Sequence, residues 1–151
     1  MKTIQSFTVD HDRLTPGLYV SRIDGDVTTY DLRTRKPNGD DLMDHATMHS
    51  LEHLFATAVR NGPMANDILY FGPMGCQTGF YLLVRNADNE AVLKEILRVL
   101  DEILHWQGEM PGNQKKECGN YKNLSLSAGQ KEAERYLAVL NQKKVDFQYE
   151  V

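Results

Sequence analysis

Apolar residues along this 151-residue chain follow two rhythms, one of period two and one near 3.6. Gly17 to Ile23 (GLYVSRI) and Val27 to Arg33 (VTTYDLR) are rich in β-branched and aromatic residues. They flank Asp24-Gly25-Asp26, which predicts a hairpin. Ile68 to Phe71 and Phe80 to Val84 are short apolar runs that read as two further strands, joined by the glycine-rich segment Gly72 to Gly79. Between the two strand pairs, Met48, Leu51, Leu54, Phe55, Ala58 and Val59 recur at helical spacing. That helix is expected to start near Asp44, a suitable N-cap, and to stop near Asn61-Gly62. Val92, Ile96, Val99, Leu100 and Ile103 predict a second helix over Asp88 to Trp106, and a third covers Ala128 to Asn141. Lys36 to Asp44 is turn-rich loop, and Gln107 to Leu124 is a polar stretch. Strands and helices do not alternate as strict βαβ units. The pattern therefore predicts an α+β fold, an antiparallel β-sheet packed against helices, with residues 1–151 forming a single domain.

Composition narrows the function classes. The net charge of −4 gives no basic footprint for nucleic acid. No apolar run approaches the ~20 residues of a membrane span. The segment MKTIQSFTVDHDR lacks the apolar stretch of a signal peptide, so a cytoplasmic protein is expected, with no membrane partner. Two cysteines, Cys76 and Cys118, are too few for a disulfide framework and read instead as thiols, metal ligands or a nucleophile.

The most informative run is His49-Ser50-Leu51-Glu52-His53, the pattern H-x-x-E-H, inside the first helix. Positions four apart lie about 40° apart around a helix, so His49 and His53 point the same way and can close on one metal ion. Glu52 projects beside them, at the edge of the apolar stripe, where a carboxylate is partly shielded from water. His45 extends the series by one turn and reads as a first-turn residue that supports the site. Two histidines do not complete a metal site. The candidates for completing it are Cys118, in Glu117-Cys118-Gly119-Asn120, and Cys76, between Gly75 and Gln77.

Three assemblies follow from these residues. Cys76, Cys118, His49 and His53 form a sensible closed Cys2His2 zinc set, although its cysteines lack the usual close pairing. An H-x-x-E-H metallohydrolase would use Glu52 to activate water, but it leaves Cys76 without a role and lacks an evident third ligand. The third keeps His49, His53 and Cys118 as ligands with one position open, and frees Cys76 and Glu52 as acid–base groups beside a polarised carbonyl.

The chain also resembles the S-ribosylhomocysteine lyase (LuxS) family. The matching stretches are Ser6-Phe7-Thr8-Val9-Asp10-His11, Asp31-Leu32-Arg33 followed by Pro37-Asn38, His49 to Leu54, Pro73 to Tyr81 (PMGCQTGFY), and Glu117 to Tyr121 (ECGNY). They occur in family order, and HSLEH together with PMGCQTG is far more specific than either alone. The resemblance implies a homodimer with active sites at the subunit interface. It implies one divalent metal ion per subunit on His49, His53 and Cys118: Fe2+ in the native enzyme, with Zn2+ or Co2+ as substitutes. It assigns acid–base roles to Cys76 and Glu52, and substrate contacts to Ser6, His11 and Arg33, with the N-terminal residues supplied by the partner chain. Arg60 matches a position that binds the homocysteine end. Two departures stand out: Tyr70 replaces an Asp found in many members, and Thr34-Arg35-Lys36 replaces an aromatic-containing sequence.

The implied reaction cleaves S-ribosylhomocysteine to homocysteine and 4,5-dihydroxy-2,3-pentanedione, the precursor of the quorum-sensing signal autoinducer-2. A ribose thioether has no acidic proton next to the carbon bearing sulfur until a ketone stands at the third carbon. The carbonyl must therefore migrate twice before a β-elimination can expel the thiolate. The sequence is redox-neutral, so no nicotinamide or flavin is expected, and the glycine-rich phosphate-binding signatures are absent.

Overall fold

A computed structural model describes residues 1–150. The predicted hairpin forms between β1 (Gly17–Asp24) and β2 (Val27–Arg33). Asp24 pairs with Val27, so Gly25 and Asp26 alone make the turn, and Gly25 supplies the left-handed φ of 61° that a side chain resists. The remaining strands are β3 (Ile68–Pro73) and β4 (Gly79–Arg85). The sheet order is β1-β2-β4-β3, with every neighbouring pair antiparallel. β2 and β3 therefore run parallel with β4 between them, and parallel strands need a long crossover.

That crossover contains α1 (His45–Arg60), the helix carrying the H-x-x-E-H pattern. Asp44 caps it as expected, its carboxylate accepting the Thr47 N–H at 2.7 Å. All six apolar stripe residues of α1 are buried. They pack on the inner face of the sheet, where Phe55, Phe71 and Phe80 stack in series with centroid spacings of 4.2 and 5.0 Å. Helix α2 (Asn89–Leu104) is capped by Asp88, and α3 (Leu126–Gln142) by Ser125. α3 begins two residues earlier than its apolar spacing suggests because Ser125, not a later residue, satisfies the first orphan N–H groups. Both helices pack against α1, and one hydrophobic core joins the three helices to the sheet.

The outer face of the sheet differs from a plain solvated face. Asp31 and Arg33 point away from the helices but are 0% and 3% exposed. Residues beyond α3, which carry no periodic signal, double back along the free edge of β1. There the Phe147 carbonyl accepts the Val20 N–H at 2.8 Å, and Tyr149 stacks on Tyr19 at 4.9 Å. This C-terminal strap covers an edge strand that would otherwise present unpaired backbone groups.

Candidate functional site

The polar stretch after α2 folds back over the flank of α1 and turns its two histidines into a fixed pair. His49 Nδ1 donates to Asn123 Oδ1 at 2.6 Å, and His53 Nδ1 donates to the Pro111 carbonyl at 2.9 Å. With both Nδ1 atoms engaged as donors, each Nε2 keeps its lone pair, which is the tautomer a metal ligand requires. Cys118 Sγ lies 3.3 Å from His49 Nε2. One ligand atom from each of His49, His53 and Cys118 falls within 4.8 Å of the others, a separation one ion could span. All three side chains are half-buried. Their soft thiolate and two imidazoles fit zinc, iron(II) or cobalt, with a fourth position open. Cys76 is not part of this cluster, so the closed Cys2His2 arrangement does not form among the described residues.

Backbone chemistry makes the enclosure close. Gly112 sits at φ 69°, and a Cβ there would stand 2.7 Å from His53 Nδ1. Only glycine lets the loop come near enough for the Pro111 carbonyl to accept the imidazole N–H. His45, exposed in the first turn of α1, lies outside the triad. Its ring nitrogen Nδ1 is 2.5 Å from Asn123 Nδ2, so Asn123 bridges His45 to His49. The sequence reading missed Asn123 and Pro111, which look like ordinary loop residues until α1 and the loop are brought together. Glu52 is half-buried on the same helix, and its carboxylate makes no side-chain hydrogen bond among the described residues.

A second group gathers on the other side of the sheet. Ser6, His11, Arg33, Met74, Cys76 and Tyr81 line a cavity of about 370 Å³. Arg33 Nη1 donates to Thr78 Oγ1 at 2.8 Å and lies 3.9 Å from Cys76 Sγ, while Nη2 donates to Asp31 at 2.6 Å. Burial alone would lower the Arg33 pKa, but Asp31, with help from Cys76, raises it, so the guanidinium stays a fixed cation. Burial, and then the Asp31 charge, raise the Tyr81 pKa, with the Arg33 cation opposing them. The exposed Cys76 sulfur also contacts Thr78 Oγ1 at 3.0 Å. The glycine-rich turn is docked to the entry of α1: Gln77 Nε2 donates to the Met43 carbonyl at 2.8 Å. Lys36 Nζ holds the N-terminal segment by donating to the Asp12 and Leu14 carbonyls at 3.1 and 2.8 Å.

The two groups remain separate. The thiol cavity is lined by none of His49, Glu52, His53 or Cys118. Arg60 lies at the exposed C-terminal end of α1, donating to the Leu69 carbonyl at 2.8 Å, and joins neither group. Tyr70, 50% exposed, lines a neighbouring outer-face cavity with Ile4, Gln5 and Ser6. The other departure has a structural role, since Arg35 ties the end of β2 to buried Glu132 on α3 at 2.6 Å.

Sheet, helices and donor set together define an α+β protein with a His2Cys site able to hold one metal ion, and with a second cysteine in a separate basic pocket. The chain belongs to the S-ribosylhomocysteinase (LuxS) family, whose model matches residues 4–146. It is 44% identical over 149 residues to the S-ribosylhomocysteine lyase of Finegoldia magna, covering 95% of each chain. It is 43% identical over 150 residues to that of Borreliella afzelii, covering 95% of this chain and 96% of the relative. The lyase of Phocaeicola vulgatus matches at 43% over 143 residues, covering 91% and 89%. The resemblance carried by HSLEH, PMGCQTG and ECGNY thus extends over nearly the whole chain.

Proposed function

We propose that this chain cleaves S-ribosylhomocysteine to homocysteine and 4,5-dihydroxy-2,3-pentanedione by two carbonyl migrations and a β-elimination. The observation that carries the reading is the division of the cysteines: Cys118 lies with two tautomer-fixed histidines, and Cys76 stands apart beside a buried arginine. A divalent cation on His49, His53 and Cys118, Fe2+ in the native protein, supplies Lewis-acid polarisation of a substrate carbonyl when bound.

The protein's own groups do the rest. Cys76, beside Arg33, removes a proton from one ribose carbon, and the proton is returned to the neighbouring carbon as the carbonyl migrates. Glu52 exchanges protons from the metal-cluster side, where it has no competing hydrogen bond among the described residues. Once the ketone reaches the third carbon, abstraction from the fourth expels homocysteine thiolate from the fifth. Ser6 and His11 hold substrate hydroxyls, and Arg60 takes the homocysteine end.

A homodimer belongs to this proposal. Ile4, Phe7 and Tyr70 are 56%, 73% and 50% exposed, on the N-terminal segment and the outer sheet face. Burying them against a second copy would also let the thiol pocket of one subunit meet the metal cluster of the other. Among the described residues, no helix is long and apolar enough to cross a membrane. A cytoplasmic location, use of the product in autoinducer-2 signalling and entry of the homocysteine into methionine metabolism complete the proposal.

Anaerobically purified protein is expected to release thiol from S-ribosylhomocysteine and to leave peptides intact. Glu52→Gln should keep its metal while turnover falls about 10²-fold or more. Peptide cleavage that needs Glu52, without thiol release, would establish the hydrolase instead. Near wild-type release by the Gln variant would remove Glu52 from the chemistry.

A further inference from the structure

We propose that Tyr149 is a positioning residue for Cys76: its hydroxyl fixes the Asp31 carboxylate, and Asp31 in turn aims the Arg33 guanidinium at Thr78 and the Cys76 sulfur. This rests on the reading of Cys76 as a proton-moving thiol, and it places a residue of the C-terminal strap in the service of that thiol.

The strap is pinned at three points. Phe147 is 6% exposed and meets Tyr30 edge-on at 6.4 Å. It does so at φ 65°, a conformation a non-glycine residue keeps only where its surroundings over-determine it. Its carbonyl is bound by the Val20 N–H. Two residues further on, Tyr149 lies nearly flat on Tyr19, the ring planes 22° apart. That stacking brings the Tyr149 hydroxyl to Asp31 Oδ2 at 2.7 Å, the same oxygen that accepts Arg33 Nη2 at 2.6 Å.

The ion pair beneath the strap is short of partners. Asp31 Oδ1 and Arg33 Nε are buried with no hydrogen bond among the described residues. A buried ion pair repays its desolvation only when further hydrogen bonds support it, so a single added donor counts heavily here. Tyr149 supplies that donor. Burial, and then the Asp31 charge, push its pKa upward, so it stays protonated and donating through the neutral range.

The consequence reaches the sulfur. With Asp31 sharing its charge between Tyr149 and Nη2, the guanidinium keeps Nη1 for Thr78 and for Cys76. Without the tyrosine hydroxyl the carboxylate falls wholly to Arg33, which draws the guanidinium toward Asp31 and weakens the positive field at Cys76. The other polar groups facing Cys76 are Tyr81 from β4, Ser6 and His11 from the N-terminal segment, and Thr78 from its own turn. Besides Arg33 and its partner Asp31, none of them carries a fixed charge.

Tyr149→Phe removes the hydroxyl and keeps the stacked ring. Alkylation of Cys76 by iodoacetamide in the metal-loaded protein, followed by peptide mass spectrometry from about pH 5 to 10, reads the thiolate directly. The variant should alkylate about threefold more slowly near pH 7 and at the wild-type rate near pH 10, because only the thiolate reacts. Tyr30→Phe, which loses a comparable bond to Asn89 (2.6 Å), should lower stability and leave the Cys76 profile unmoved. Superimposable wild-type and Tyr149→Phe profiles, or an equal change in Tyr30→Phe, would overturn the proposal. A shifted profile in a protein that releases no thiol from S-ribosylhomocysteine would refute the lyase reading and leave the positioning role standing.

Discussion

The His49–His53–Cys118 cluster and the Arg33–Cys76 pocket each present a cysteine, and they hold it by different means. The first is neutral in its supports: a carbonyl and an amide fix two imidazoles, and a glycine lets the loop approach. The second is charged, with a buried ion pair under a strap and an exposed sulfur in front of it. A donor set that must enclose an ion gains from fixed tautomers and no competing charge. A thiol that must exchange protons gains from a nearby cation and an open face. On the proposed reading, the same side chain is thus directed to opposite tasks by its surroundings.

The sharpest test of this contrast is to remove each sulfur in turn. Cys118→Ala should bring bound metal close to background and abolish thiol release, whereas Cys76→Ala should abolish release with metal content unchanged. Elemental analysis of anaerobically purified variants distinguishes them. Loss of metal from the Cys76 variant would erase the contrast and restore a four-ligand site.

A smaller effect is expected from the support of the first region. Asn123→Ala frees His49 Nδ1 and should weaken metal affinity by about 10–100-fold, the usual scale for a ligand's hydrogen-bonding partner. Competition with a chelator measures it. An unchanged affinity would mean that α1 alone orients His49.

The smallest effect concerns the cap of the helix that carries both histidines. The backbone N–H of Thr47, and then its side chain, hold the Asp44 pKa below its ordinary value of 3.8. A carboxylate depressed in the folded state contributes stability above its unfolded pKa and loses it as the pH falls through the folded value. Asp44→Ala should therefore cost about 1 kcal/mol at neutral pH, and the gap from wild type should close below about pH 4. Urea unfolding at several pH values checks this. A gap that persists in acid would show that the cap acts through packing rather than charge.

Local periodicity and short motifs carried much of this molecule. The α1 stripe, the hairpin around Gly25 and the H-x-x-E-H spacing were legible because they depend on neighbours within a few residues. Helix geometry alone brought His49 and His53 to one face, and the association of Cys118 with them came from the resemblance and not from spacing. The roles of Asn123, Pro111 and Gly112 were not legible, because nothing in a polar loop says which helix flank it will cover. Nor was the strap: Phe147 and Tyr149 follow the last periodic residue and acquire meaning only against Tyr30, Tyr19 and Asp31, more than a hundred positions earlier. The sequence by itself determined the secondary structure, the fold class and the donor types, which follow from local propensity and side-chain chemistry. Only the tertiary structure decided which nitrogen of each imidazole stays free and what shields Asp31 and Arg33, because those depend on contacts that chain folding alone creates.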